Sequence, residues 1–455
     1  MRKKAFNLYL VFLLSWFLHL TARVPALGAM RLDLILLVVI TGMILASSEE
    51  SPGSGDPAIR KLILTIAGMA VVTVPFVEWP GTVLRAGLPD FIKAFVFFYF
   101  TAELVTTERQ VKLLMMVFLL GQSFRVVEPL YLHLTQGYWG SITTMYGDDG
   151  LEVMDRLAGA PNDVVNSNGL AFIILTVIPF FNYIGPISRT GTLLYLAFLP
   201  VGIYTLMLTA SRSGMLGLGI TILMMWWKTK HKVLFTTVMV VGALVAANSL
   251  SADLADRYES IFSSHTKNAT TSQGRIAGVQ KDLTVAMRRP IFGHGLGTSL
   301  EANAHFAGEA QPSHNLYTEV AQELGFVGLA LFVTFLWKVA RNVSRTLKAL
   351  RASGLQDGII FRLSQAVQVW FGMNLLFSFA SYGLTSYEWY FLAGLAEVLR
   401  RFTPELRGAA PMPQAAPAAA AAGGIAAGGL QPAPQPATAM VVRRPARPTS
   451  TFFGD

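Results

Sequence analysis

Long, unbroken apolar stretches are the feature that most restricts what this chain can fold into. A bilayer core offers no water to satisfy backbone N–H and C=O groups, so a spanning segment must be a helix or part of a closed barrel. The apolar stretches here do not alternate residue by residue, which points to helices. The chain is 53% hydrophobic and only 14% charged, a balance outside that of ordinary soluble domains. The runs lie at about 6–20, 33–47, 62–78, 91–106, 112–128, 168–184, 192–210, 213–227, 233–249, 324–340, 359–380 and 386–399. The expectation is an all-α polytopic membrane protein of about twelve transmembrane helices. Several runs fall short of the ~20 residues of a perpendicular span, so some helices tilt or extend into polar flanks.

Basic residues set the orientation. With the N-terminus inside, the inner loops hold Arg2, Lys3 and Lys4, then Arg60/Lys61, Arg109/Lys112, Arg189, Lys228/Lys230/Lys232, the series Lys338/Arg341/Arg345/Lys348/Arg351, and Arg400/Arg401/Arg407. The short outer loops have only Arg23, Arg31 and Arg85. This is the positive-inside pattern, and with an even helix count it predicts a membrane protein with both termini in the cytoplasm. A cleaved signal peptide ending near Ala26-Leu27-Gly28-Ala29 is the competing reading of the first run, but the chain continues as a membrane bundle. The net charge of +9 is spent in these loops rather than in a basic, aromatic-rich polar domain, so no nucleic-acid partner is expected.

The alternation divides the chain as follows. Residues 1–249 carry the first nine helices, with an outer loop at 129–167. Residues 250–323 form a large, partly helical outer loop, which the resemblance named below makes periplasmic. Residues 324–402 carry the last three helices, and 403–455 form an Ala/Pro/Gly-rich tail that cannot bury a core. The tail's basic end, Arg443/Arg444/Arg447, either touches anionic lipid or is simply solvated.

Chemistry is concentrated between Ala210 and Gly328. Ser211-Arg212-Ser213-Gly214 sits between two apolar runs. A cation at a helix start opposes the macrodipole, so Arg212 either shares an anion with the helix N-terminus or snorkels to headgroups. Ser272-Gln273-Gly274-Arg275-Ile276 opens a second helix, with Ile276, Val279, Leu283 and Met287 on one apolar face and Arg288-Arg289-Pro290 at its end. Arg275 is either an anion ligand near that helix start or a solvated arginine. Gly293-His294-Gly295-Leu296-Gly297 allows close backbone approach but lacks the Lys-Ser/Thr of a phosphate loop.

Pro312-Ser313-His314-Asn315 then precedes a helix continuing through Glu323-Leu324-Gly325. Ser313 is the expected cap, with His314, Thr318 and Gln322 on one face. His314 is either a general base near neutral pH or a structural histidine. Arg125, at the end of an apolar run, is either functional or snorkelling. The absence of cysteine excludes disulfides, thiol nucleophiles and cysteine-ligated metals. No Asp-x-Asp pair or His-Glu-x-x-His motif suggests a metal, and no cofactor is expected.

Taken in order, Ser-Arg-Ser-Gly at a membrane edge, Gly274-Arg275, Pro290-Ile291-Phe292-Gly293-His294-Gly295, Ser313-His314-Asn315 and Glu323-Leu324-Gly325 resemble the O-antigen ligase and polysaccharide polymerase superfamily. The resemblance implies a metal-independent, inverting glycosyltransferase acting at the periplasmic face. Its donor would be a glycan on undecaprenyl pyrophosphate, and its acceptor a lipid A core or a second lipid-linked glycan. The resemblance maps pyrophosphate binding to Arg212 and Arg275 and acceptor activation to His314. Arg125, Arg288, His294, Asn315 and Glu323 are accessory candidates. A ligase is slightly favoured over a polymerase of O-antigen, capsule or exopolysaccharide repeats. A transporter or flippase, and a non-catalytic scaffold, are the rivals from other classes.

Overall fold

The computed structural model describes residues 1–47, 57–140, 145–146, 152–163, 165–233, 235–237, 240, 270–308, 310–381 and 383–403. The longer helices are α1 (Arg2–Leu18), α2 (Leu32–Leu45), α3 (Pro57–Val72), α4 (Leu88–Leu104), α5 (Glu108–Gln136), α6 (Ser167–Ile184), α7 (Arg189–Leu208) and α8 (Arg212–Lys228). They continue with α9 (Thr270–Ala286), α10 (Ser299–Phe306), α11 (Leu316–Ala352), α12 (Ile359–Phe377) and α13 (Tyr387–Arg401). Among the described residues the extended structure is a short antiparallel pair, Met145–Tyr146 against Glu152–Met154.

Helices occupy every expected apolar run except 233–249, most of which lies outside the described residues. By length and composition four of them can cross a membrane: α5, α6 with the turn that follows it to Ile187, α7 and α11. The shorter α2 is also strongly apolar. Its Leu34, Ile35, Val38 and Val39, and Leu193, Leu194 and Leu196 of α7, point outward from the bundle. Apolar faces of this extent on a helical bundle are what lipid covers.

Aromatic packing fills the interior. Trp370 of α12 is fully buried among Phe118 of α5, Phe180 of α6 and Phe391 of α13. Its indole N–H donates to Thr176 Oγ1 at 3.0 Å, which satisfies the polar edge of a side chain chosen for its volume. Gly394 lets α13 close on α4, since a Cβ there would sit 2.8 Å from the Thr101 side chain.

Two helices run further than their apolar cores. α5 passes Pro129 and reaches Gln136, where Gly137 (φ 68°) closes it in the left-handed region that glycine adopts freely. The helix therefore continues past residue 129, where the sequence put the start of a loop. α11 begins at Leu316 and ends at Ala352, so the segment 316–323 is the first part of this helix. Its C-terminal extension is amphipathic: Val339, Asn342, Val343, Thr346, Leu347 and Leu350 are buried, while Arg341, Arg345 and Lys348 lie on the outer side.

Polar contacts sort the bundle into two ends. One gathers Arg23 with Glu128, Arg289 with Glu78, Arg125 with Asp163, and the starts of α6, α8, α11 and α13. The other gathers Arg2 and Arg60 with Glu103, Lys228 with Gln368, and Arg401 with the Ala102 carbonyl. Alternating helices connect the two.

Candidate functional site

The first of these ends carries most of the residues singled out in the sequence. α7 reverses into α8 within a few residues. Ala210, fully buried, takes φ 47°, a left-handed conformation that costs a residue with a Cβ roughly 1–2 kcal/mol. Strain of this kind persists where neighbouring contacts fix the backbone. Ser211 then caps α8, its hydroxyl accepting from the Gly214 N–H at 3.1 Å. Arg212, buried, is the first helical residue.

Beside this turn lies the start of α6. Asn166 caps it by accepting from the Gly169 N–H at 2.9 Å. Asn168 Oδ1 accepts from the Ser211 hydroxyl at 2.8 Å and from Arg156 Nη2 at 3.0 Å. Arg156 Nε also donates to the Thr209 carbonyl at 3.0 Å, and the Leu157 N–H to the Leu208 carbonyl at 2.9 Å. Two helix N-termini and two guanidinium-bearing segments thus meet at one point. Partial positive charge at helix starts and the charge of arginine add there, which favours an anion. Arg156 had no signal in the sequence: it follows a polar stretch, and its partners come from two distant segments.

The segment 155–163 is anchored from below. Arg125 and Asp163 are both buried and form a two-pronged pair, Nε to Oδ2 at 2.6 Å and Nη2 to Oδ1 at 2.9 Å. Arg125 Nη1 also donates to Gln122 Oε1 at 3.2 Å, and Gln122 Nε2 to the Tyr387 hydroxyl at 2.6 Å. Arg125 therefore holds the loop that presents Arg156. This geometry gives its buried charge a carboxylate partner in fork geometry.

A second cluster is built around Asp282 of α9. Its buried carboxylate accepts from Ser313 Oγ at 2.6 Å, Thr318 Oγ1 at 2.9 Å, Asn303 Nδ2 at 3.1 Å and Gln322 Nε2 at 3.1 Å. This network turns α9 away from the predicted orientation. Asp282, Val285 and Ala286 face inward, whereas Leu283 and Met287 are exposed. A carboxylate with four donors wins the interior position over two apolar side chains, because a buried charge without them is far costlier than an exposed leucine.

The glycine-rich stretch braces a break in α11. Gly325 has φ 67° and interrupts the helix. The carbonyls of Gln322 and Glu323 accept from the His294 and Gly295 N–H groups at 2.8 and 2.9 Å, and the Phe326 N–H donates to the Pro290 carbonyl at 2.7 Å. A Cβ on Gly325 would lie 2.3 Å from the Ile291 oxygen, and one on Gly293 would lie 2.4 Å from the Glu323 backbone. Glu323 is buried and accepts from the Gly297 and Ser299 N–H groups at 2.8 and 3.3 Å. His294 is fully buried, with Nδ1 3.0 Å from Glu78 Oε2 and Nε2 3.0 Å from the Val285 carbonyl. Each ring nitrogen thus faces an oxygen from a different segment. Arg289 donates to the other Glu78 oxygen at 3.0 Å, and Arg288 lies over Phe306 at 4.7 Å. Burial pushes the Glu78 carboxyl upward, but the hydrogen bonds from His294 and Arg289 bring it below its ordinary value.

His314 occupies a different setting. It is exposed, in the bend just before α11. The helix is capped by Asn315, whose Oδ1 accepts from the Tyr317 and Thr318 N–H groups at 2.9 and 3.3 Å, and not by Ser313, which is occupied by Asp282. The expected common face of His314, Thr318 and Gln322 is therefore split: Thr318 and Gln322 point into the Asp282 cluster, and His314 stands outside the helix. Asn315 Nδ2 reaches the Phe379 carbonyl at 3.2 Å, and the Leu316 N–H reaches the Ser381 carbonyl at 2.9 Å. Just before this connection Phe377, the last residue of α12, packs against Phe172 of α6 with ring centroids 5.0 Å apart, which links the His314 turn to the helix that carries Asn168.

Arg212 and His314 are thus brought to one end of the bundle. Arg125, His294, Asn315 and Glu323 hold the scaffold around them. Arg275 lies early in α9, and its side chain falls outside the described residues. Among the described residues no group of three or more His, Asp or Glu side chains is placed to hold a metal ion. Residues 195–333 match the family model described as O-Antigen ligase. That span begins in α7, crosses the Arg212 turn and the Asp282 cluster, and ends beyond the break in α11. No curated protein sequence matches the chain.

Proposed function

We propose, on the match of residues 195–333 to the O-Antigen ligase family model, that this membrane protein transfers a glycan from undecaprenyl pyrophosphate to an acceptor hydroxyl. The observation that carries the reading is the meeting of the Arg212 turn, two capped helix starts and the exposed His314 at one end of the bundle. In this reading about twelve helices cross a bacterial inner membrane, both termini are cytoplasmic, and that end faces the periplasm.

The acceptor hydroxyl oxygen attacks the anomeric carbon and inverts it. His314 takes the hydroxyl proton. The bond from the anomeric carbon to the pyrophosphate oxygen breaks, and the lipid pyrophosphate leaves with the electron pair. Arg212, Arg275 and the α8 N-terminus stabilise the charge that develops on it without a metal. Arg156, held on Asn168, adds a third guanidinium. The strained Ala210 turn and the Ser211 cap fix Arg212 before substrate arrives.

The ligase form, with lipid A core as acceptor, is preferred over the polymerase form, in which a second lipid-linked repeat supplies the hydroxyl. The family region is common to both. A transporter is the rival that a broken helix invites. Here the carbonyls opened at Gly325 accept from the glycine-rich loop, which leaves them occupied rather than turned to a substrate path.

Membranes carrying His314→Ala or Arg212→Ala should lose about 10²-fold or more of the transfer of radiolabelled lipid-linked glycan. Full transfer by both variants overturns the reading. Uptake of glycan into proteoliposomes without a new glycosidic product favours the transporter. Product on lipid A core, as against lengthened lipid-linked glycan, separates ligase from polymerase.

A further inference from the structure

At the opposite end of α8 from Arg212, about 24 Å away along the helix axis, a cavity of about 520 Å³ is lined by Met224, Trp227, Lys228, Arg351, Gln365 and Gln368. Its volume falls in the range of small-ligand sites. α8 supplies Lys228, α11 supplies Arg351 and α12 supplies both glutamines. The glutamines are three apart, so they share one helix face.

The charge balance of this lining is one-sided. It has two cations and no carboxylate. Lys228 donates to the neutral Gln368, and it feels the Arg351 charge. Bringing two cations from different helices to one cavity costs Coulomb energy, which an anion between them reverses. The apolar part is equally one-sided: Trp227 is 75% exposed, and beside Met224 it gives the cavity an aromatic, half-apolar rim. Indoles of this kind settle at the boundary between acyl chains and headgroups. The preceding residue, Trp226, carries Lys232 over its ring at 4.6 Å, a further cationic and aromatic pair at this end of α8.

We propose that this cavity binds a phosphate group between Lys228 and Arg351, with Gln365 and Gln368 as neutral hydrogen-bonding partners. An anionic phospholipid headgroup and free phosphate share that chemistry, and the aromatic rim favours the lipid. The site is separate from the one that carries Arg212 and His314, and it stands whether or not the chain transfers glycans.

The test uses the purified full chain in detergent. Native mass spectrometry compares retention of phosphatidylglycerol with that of phosphatidylcholine. Thermal unfolding with and without inorganic phosphate forms the second arm. The native chain should retain phosphatidylglycerol preferentially, and the K228Q/R351Q pair should retain about tenfold less of it with phosphatidylcholine unchanged. Gln365→Glu, which keeps both cations but adds a carboxylate to the cavity, should weaken retention similarly. The K228R/R351K pair, which preserves both charges, should bind as the native chain does. If phosphate raises the native melting temperature but not that of the glutamine pair, and no lipid preference appears, the site holds free phosphate. Equal behaviour of native chain, glutamine pair and Gln365→Glu in both arms overturns the site, and so does loss of binding in K228R/R351K.

Discussion

Two histidine-bearing segments at the same end of this protein, 290–297 and 311–315, invite comparison. Both lie on the first part of α11 and both sit among small and polar residues. In the glycine-rich segment His294 is fully buried, with an acceptor at each ring nitrogen and Trp79 6.1 Å away. In the other, the neighbours Ser313 and Asn315 take the buried positions and His314 is left on the outside. The difference teaches that a histidine's role is set by what its flanking residues spend their hydrogen bonds on. Gly293 and Gly295 bring the backbone so close to α11 that the imidazole between them is enclosed. Ser313 and Asn315 instead satisfy the helix start and Asp282, which leaves the side chain between them pointing away.

The comparison can be broken hardest at Gly325. Gly325→Ala forces a Cβ against the Ile291 carbonyl in a left-handed conformation. It should cost about 3–5 kcal/mol of stability and uncouple both segments at once, read as a large fall in melting temperature of the detergent-solubilised chain. Next in size is His294→Ala, which removes the ring contacts to Glu78 Oε2 and the Val285 carbonyl and empties a fully buried position, while Arg289 and the Arg288 N–H stay on those two groups. A loss of about 2–3 kcal/mol is expected, with glycan transfer falling only as far as the amount of folded protein falls. Asp282→Asn presents an amide to four donors that need an acceptor. It should cost about 1–3 kcal/mol and slacken the turn on which His314 sits, so transfer drops more than stability does.

A pH experiment is smaller in effect. The Glu78 carboxyl is held below its ordinary value in the folded chain. Its contribution is therefore present above ~4.3, the unfolded value, and drains as pH falls through the lower folded value. Glu78→Gln should flatten the acid limb of melting temperature against pH and leave the neutral region nearly unchanged. The smallest structural effect belongs to His314→Ala. Its melting temperature should match the native chain while transfer is lost, the reverse of the His294 variant. Equal losses of stability in the two would erase the distinction.

The sequence made some of this legible and hid the rest for physical reasons. Apolar runs located the helices because lipid-facing and buried residues are alike apolar, so a span is visible whatever its orientation. For the same reason the runs underestimated α5 and α11, whose ends continue as polar, amphipathic turns. Periodicity gives the α9 helix but the wrong inward face, since it registers Leu283 and Met287 as apolar while the donors that converge on Asp282, namely Ser313, Asn303, Thr318 and Gln322, come from other segments. The cap of α11 was misplaced by two residues because Ser313 and Asn315 are both good caps, and only the position of Asp282 decides between them. The Arg212 turn could be read locally from Ser211 and the change of helix. Arg156 could not, because its setting depends on Asn168 and the Thr209 carbonyl.

The break at Gly325 separates a bracket from a rail. The bracket, 316–324, is fastened by the glycine-rich loop, by Asp282 and by the connection after α12. The rail, 326–352, is tied at its first residue by the Phe326 N–H on the Pro290 carbonyl and is held beyond that mainly by packing. Because most of the fastening is on the bracket's side of the joint, the far part of the rail can tilt, or exchange one apolar residue for another, without carrying the His314 turn along with it. In a bilayer of altered thickness, adjustment along the rail then leaves that corner where it is.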